Sequence, residues 1–124
     1  MMQIQKLIFA FALPLFLAAC VAAPKYTWGN YDRSLYNYYK DTSNSASHVA
    51  ELEKIIQTAE QTKGRVPPGI HAEYGYFLLR SAKGAEAVTQ FENEKRLWPE
   101  STLLMNIMIK SAQATPVKPV ASKE

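Results

Sequence analysis

The amino-acid sequence predicts an all-α domain of about five short helices. Between residues 28 and 112, apolar side chains recur at the three- and four-residue spacing of a helix, and strand-like alternation is scarce. Prolines, glycines and polar runs divide this stretch into five segments. The length of 124 residues suits one domain, and a hydrophobic content of 48% is typical of a folded chain.

The first predicted helix covers residues 26–40. Its apolar and aromatic side chains fall on one face, which we expect to contact the core. These side chains are Tyr31, Leu35, Tyr38 and Tyr39. The polar run at residues 41–45 competes with the helical backbone for hydrogen bonds, so the helix is expected to end there.

The second predicted helix covers residues 46–62 and keeps the same period in its apolar side chains. These are Val49, Leu52, Ile55, Ile56 and Ala59. Gly64 follows and is expected to cap the C-terminus, because glycine adopts left-handed backbone without strain.

The third and fourth predicted helices cover residues 68–82 and 85–98. Pro68 suits the first turn of the third, and Pro99 ends the fourth by disfavouring helical geometry before it. The expected core residues of the third are Tyr74, Leu78 and Ser81, with Phe77 and Ala82 at the edges. Those of the fourth are Ala87, Val88, Phe91 and either Leu97 or Trp98.

A fifth helix is predicted after Ser101, and it is apolar on nearly every side. Its apolar residues are Leu103, Leu104, Met105, Ile107, Met108 and Ile109. Such a helix has to be covered, either by the domain itself or by a partner.

Residues 1–19 are predicted to be a secretory signal peptide. Lys6 supplies its basic region, and the apolar run Leu7–Phe16 is too short to cross a bilayer as a helix. The following Leu17-Ala18-Ala19-Cys20 resembles the bacterial lipobox. That resemblance implies cleavage before Cys20 and attachment of acyl chains to it, which would anchor the protein firmly to a membrane.

The lipobox resemblance also implies a location. Val21 and Ala22 follow the cysteine, where an aspartate would favour retention in the inner membrane. We therefore expect a lipid anchor in the outer membrane, on its periplasmic face, with the inner membrane as the alternative. Residues 20–27 are predicted to form a lipidated tether, and residues 113–124 a disordered tail.

Residues 68–101 resemble one tetratricopeptide unit. In a single register, Gly75 and Ala87 occupy the small positions, Leu78 and Phe91 large positions, and Pro99 the closing proline. The two small residues would let the third and fourth helices approach closely while Phe91 fills the space beside them. The register departs from the family at His71, where the family has an aromatic residue, and at Glu94, where it has alanine. The resemblance implies helical hairpins followed by a capping fifth helix.

An ordered set of segments resembles a family of small Gram-negative lipoproteins catalogued as a domain of unknown function. The segments are Trp28–Tyr31, Leu35–Lys40, Leu52–Ile56, Val66–Gly69 and Trp98–Ser101. The resemblance covers about residues 26–110. Genes of this family often lie beside one for a lipoprotein similar to the curli secretion channel, which implies an envelope protein partner of that kind.

No catalytic or cofactor motif is evident. The sequence contains no Gly-x-Ser-x-Gly motif, no glycine-rich phosphate loop and no His-x₃-His spacing, so we expect no enzyme activity, metal or cofactor. His48 and His71 are expected to be partly exposed. The pairs Glu51/Glu53 and Glu92/Glu94 are expected on solvated faces, since positions i and i+2 diverge on a helix. A net charge of +3 without a basic block argues against nucleic-acid binding.

Four residues are candidates for binding a protein partner. They are Tyr36, Tyr76, Leu79 and Arg80. Tyr36 falls off the core face of the first helix, and the other three would line the concave side of a tetratricopeptide-like unit. Tyrosine and arginine are frequent at interface hot spots, although packing between helices is the alternative explanation. The expected function is a non-enzymatic adaptor or accessory subunit of an envelope secretion or assembly complex; the alternative is a structural lipoprotein that binds the cell wall.

Overall fold

The computed structural model describes residues 1–2 and 24–114, and residues 24–114 form five α-helices without a strand. The predicted all-α fold is confirmed. Two short 3-10 turns, Thr42–Asn44 and Pro99–Ser101, precede the second and fifth helices. The helices are α1 (Tyr31–Lys40), α2 (Ser45–Gln61), α3 (Ile70–Arg80), α4 (Gly84–Leu97) and α5 (Thr102–Ala114).

The helices pack in chain order, each against the next, around two adjoining apolar clusters. The first cluster contains Leu52, Ile55, Ile56, Ala59, Val66, Ile70 and Phe77. The second contains Leu78, Ala87, Phe91, Met105, Ile109 and Ala112. The half-buried Tyr74 of α3 contacts both clusters and so joins them. Helix α3 is therefore the central element of the domain.

Close approach of α3 and α4 depends on Gly75. A Cβ atom at this position would lie 2.6 Å from Cε1 of Phe91, a distance that real Cβ atoms do not tolerate. The Phe91 ring is fully buried against this glycine, and Ala87 on the same face of α4 is also fully buried. The expected packing of these three residues is thus present.

Helices α2 and α3 end in Schellman motifs whose left-handed residue is not glycine. The N–H of Gly64 donates to the carbonyl of Ala59 at 2.8 Å, and Lys63 takes the positive φ of 53°. The expected capping position of Gly64 is therefore wrong by one residue. At the end of α3, the N–H of Lys83 donates to Leu78 at 2.9 Å, and Ala82 adopts a φ of 62°.

Replacing Ala82 by glycine is expected to stabilise the protein by up to about 1 kcal/mol. A side chain in left-handed backbone costs roughly 1–2 kcal/mol, and part of the gain is lost to the greater freedom of glycine in the unfolded chain. Thermal unfolding of the full-length protein in mild detergent, followed by helical circular dichroism, measures the change. Ala50→Gly on the exposed side of α2 is the matched control and should be destabilising by about 1 kcal/mol.

Several expected core positions lie at the surface instead. Tyr39 is 73% exposed, because the buried side of α1 is centred on Ser34 between Tyr31 and Tyr38. Ser81 and Ala82 are exposed, because α3 ends at Arg80 and the chain then turns away. The predictions for these three residues are wrong.

The two ends of the domain differ from the predicted boundaries. Tyr26 and Thr27, expected in the tether, are half-buried, and the N–H of Thr27 donates to the carbonyl of Arg65 at 3.1 Å. Helix α5 continues to Ala114, two residues past the expected boundary. The predicted signal peptide apart from residues 1–2, the lipidation site Cys20, and residues 115–124 lie outside the described residues. Within the described part of the chain, no helix combines the length and apolar character needed to cross a bilayer.

Candidate functional site

A buried polar network joins α1, α2 and α3 through His48. Its ring is fully buried, with Nδ1 at 2.8 Å from Oγ of Ser34 and Nε2 at 2.8 Å from Oε1 of Glu73. The hydroxyl of Tyr31 donates to Oε2 of Glu73 at 2.8 Å, and the Ser34 hydroxyl donates to the Tyr31 carbonyl at 2.9 Å. Each of these four side chains therefore forms a hydrogen bond within the network.

Three aromatic rings enclose His48. Tyr38 stacks on the imidazole with an interplanar angle of 12°, and Tyr31 and Phe77 approach it with ring centroids 5.8 Å away. Burial of the Tyr31 phenol, together with its hydrogen bond to Glu73 and the charge of that carboxylate, raises the pKa of Tyr31. The network thus links α1, α2 and α3 through hydrogen bonds that are shielded from water.

The surface position expected for His48 is wrong. The serine, histidine and glutamate follow the order of groups in a hydrolytic triad. However, Ser34 is itself buried, its hydroxyl is used by the Tyr31 carbonyl, and aromatic rings cover the imidazole. A substrate has no route to this hydroxyl, so the geometry gives the network a role in holding three helices together.

A second buried polar set joins α3 to α4. Oε1 of Glu94 accepts the Gly69 N–H at 2.7 Å, and His71 Nδ1 lies 2.7 Å from Oε1 of Gln90. Glu94 and His71 are both buried, so their expected solvated positions are wrong. The carboxylate of Glu94 thus holds the turn at which α3 starts.

An aromatic and cationic cluster forms where the N-terminal segment meets the domain. The ring centroids of Tyr26 and Trp98 are 5.7 Å apart in an edge-on arrangement. The Arg65 guanidinium lies 5.7 Å from the centroid of the Tyr26 ring and 5.3 Å from that of the Trp98 ring. The Lys25 ammonium also lies over the Tyr26 ring, 5.3 Å from its centroid. This cluster fastens residues 25–27 to the ends of α2 and α4.

A cavity of about 240 Å³ opens beside this cluster. Ten residues line it: Ala59, Glu60, Gly64, Arg65, Val66, His71, Asn93, Arg96, Leu97 and Trp98. The Trp98 indole Nε1 is buried and has no hydrogen-bond partner within residues 24–114. No motif in the sequence pointed to this cavity, because its polar residues come from α2, α3, α4 and a loop.

Three large apolar side chains are exposed on the outer side of α5. Met105 and Ile109 are buried on its inner side, whereas Leu103 is 77%, Leu104 58% and Ile107 56% exposed. These three residues are referred to below as the α5 stripe. Exposed large side chains grouped on one helix are typical of an interaction site.

The four predicted partner residues do not form one surface. Tyr76 and Arg80 are exposed and lie together, with the guanidinium 5.8 Å from the ring. Leu79 is half-buried and packs against the second apolar cluster. Tyr36 is exposed on α1, where Lys40 approaches its ring at 5.6 Å. Their role in binding stays a prediction.

Among residues 1–2 and 24–114, no group of three or more His, Cys, Asp or Glu side chains is arranged to hold a metal ion. The candidate sites described above are the α5 stripe and the cavity beside Trp98. Residues 24–114 thus form an all-helical domain with two notable features. Apolar side chains are exposed on α5, and an aromatic and cationic cluster attaches the N-terminal segment to the domain.

The chain belongs to the DUF4810 family, described as a domain of unknown function, whose family model matches residues 25–108. The matched range begins at Lys25, so it includes the segment that packs on Trp98 and Arg65, and it ends within α5. A match was found neither among the curated proteins nor among the solved structures.

Proposed function

We propose that this protein is a lipid-anchored, non-enzymatic accessory subunit that docks onto another protein of the bacterial envelope through the α5 stripe. The observation that carries the proposal is the exposure of Leu103, Leu104 and Ile107 on the last helix. In helical arrays, the terminal helix needs a polar outer face for solubility. An apolar outer face instead suits a partner helix or apolar groove, which would cover the stripe.

The anchor and the arrangement of hairpins are part of the same proposal. Cys20 would carry the acyl chains and hold the domain at the periplasmic face of the outer membrane. Helices α3 and α4 would form a tetratricopeptide-like hairpin; the contact of Phe91 with Gly75 supports this arrangement. The suggested partner is a lipoprotein similar to a secretion channel, on the strength of the family resemblance.

Affinity capture of the tagged full-length protein from detergent-solubilised envelopes tests the proposal. We expect recovery of a channel-like lipoprotein, and we expect Leu103→Gln with Ile107→Gln to reduce it at least ten-fold. Both side chains are exposed, so unfolding should shift by no more than about 0.5 kcal/mol. Cys20→Ser should reduce recovery as well, by releasing the protein from the membrane.

Two controls locate the docking surface. Lys54→Ala with Gln57→Ala changes two exposed residues of α2 and should leave recovery unchanged. Tyr76→Ala with Arg80→Ala removes the other exposed pair and tests the surface on α3. Loss of recovery with the α3 pair but not with the α5 pair would reject the α5 stripe as the docking site.

A further inference from the structure

The cavity beside Trp98 has an excess of positive charge in its lining. Arg65 and Arg96 both line it, and neither forms an ion pair within 4 Å among residues 24–114. Within residues 24–114, the Arg96 guanidinium forms one hydrogen bond, a long one of 3.3 Å to the side chain of Asn93. The lining contains one carboxylate, Glu60, against these two guanidinium groups.

Two further polar residues line the cavity. The buried His71 has its Nδ1 at 2.7 Å from Oε1 of Gln90, and the buried indole N–H of Trp98 has no acceptor among residues 24–114. Guanidinium groups bind phosphate oxygens in a two-pronged geometry.

From this arrangement we propose that the cavity binds a phosphate group, and that in the cell this is the headgroup phosphate of an anionic phospholipid. The membrane source rests on the proposed lipid anchor. Tyr26 is the sixth residue after Cys20, so the cluster can lie no more than about 20 Å from the anchored atom. Tryptophan, tyrosine and arginine are also the side chains that favour the headgroup layer. Binding would hold the domain in one orientation on the bilayer.

Fluorescence of Trp98 in the full-length protein tests this proposal. Trp28→Phe, made in an exposed position, leaves Trp98 as the reporting indole. The protein in nonionic micelles is titrated with phosphatidylglycerol, with phosphatidylcholine and with inorganic phosphate. We expect a saturable change with phosphatidylglycerol, and Arg65→Gln and Arg96→Gln should each weaken it about five-fold, the effect of one basic residue at an anionic surface.

Arg80→Gln is the matched control, because Arg80 also lies against an aromatic ring but on α3. It should leave the titration unchanged. A response to inorganic phosphate alone would support the site and assign it a soluble phosphate. No saturable response to either phosphate source, or equal weakening by Arg80→Gln, would overturn the site.

Arg65→Gln also removes a ring contact that fastens Tyr26, so a thermal melt accompanies each variant. Arg96→Gln is the more direct test, because its guanidinium has no recorded ring contact within the described residues. The intact mass of the same sample reports acylation of Cys20. An unmodified mass with a normal phosphate titration would reject the anchor and keep the site, so the two proposals fail separately.

Discussion

His48→Ala is expected to destabilise the protein by about 3–5 kcal/mol. Truncating a fully buried ring leaves a cavity, and it also removes one hydrogen-bond partner each from Ser34 and Glu73. Domains of this size are stable by only about 5–15 kcal/mol, so the variant should melt far below the wild type. Urea unfolding of the full-length protein in mild detergent, followed by circular dichroism, gives the free energy.

Two further variants separate the network from a general loss of helix. Gln57→Ala lies on the exposed side of the same helix and should change stability by no more than about 0.5 kcal/mol. Ser34→Ala removes one partner of the imidazole and should cost about 1–3 kcal/mol. If His48→Ala destabilised the protein no more than Gln57→Ala, the His48 network would contribute nothing to stability.

Gly75→Ala is expected to destabilise the protein by about 1–3 kcal/mol, against the preference of an ordinary helix for alanine. The new Cβ would lie 2.6 Å from Cε1 and 2.8 Å from Cδ1 of Phe91, a fully buried ring. Helix α4 would have to move away from α3. The same urea titration measures the loss.

A double-mutant cycle identifies the cause. Phe91→Leu removes the ring atoms that the new methyl group meets, at its own cost in buried area. In that background, Gly75→Ala should be neutral or stabilising, so the two changes should couple by at least about 1 kcal/mol. Additive effects would mean that the glycine is needed for a reason other than the Phe91 ring.

The sequence was sufficient to predict the helices but not the buried polar contacts between them. Apolar period and helix breakers placed all five helices, because both are local properties of the chain. The partners of His48 lie 14 and 25 residues away, on α1 and α3. Local spacing carries no information about contacts between residues so far apart, so His48, near the start of a predicted helix, was expected to be partly exposed. The same holds for Glu94, whose partner is the Gly69 N–H at the start of α3.

The candidate sites also divide into features that the sequence predicts and features that it does not. The apolar character of α5 was evident from its composition, and the structure adds which side is covered. The cavity beside Trp98 could not be predicted, because Arg65, His71 and Arg96 come together only when the ends of three helices meet. Tyr26 and Thr27 were assigned to a tether for a similar reason: their contacts with Trp98 and Arg65 are long-range.

Site-specific photo-crosslinking in living cells tests the docking role of the α5 stripe most directly. A photoreactive amino acid replaces Leu104 in the otherwise intact protein, and Gln57 on exposed α2 serves as the control position. We predict an adduct with one envelope protein, a channel-like lipoprotein, from position 104 and none from position 57. An adduct from neither position, or the same adducts from both, would contradict a docking role for the α5 stripe.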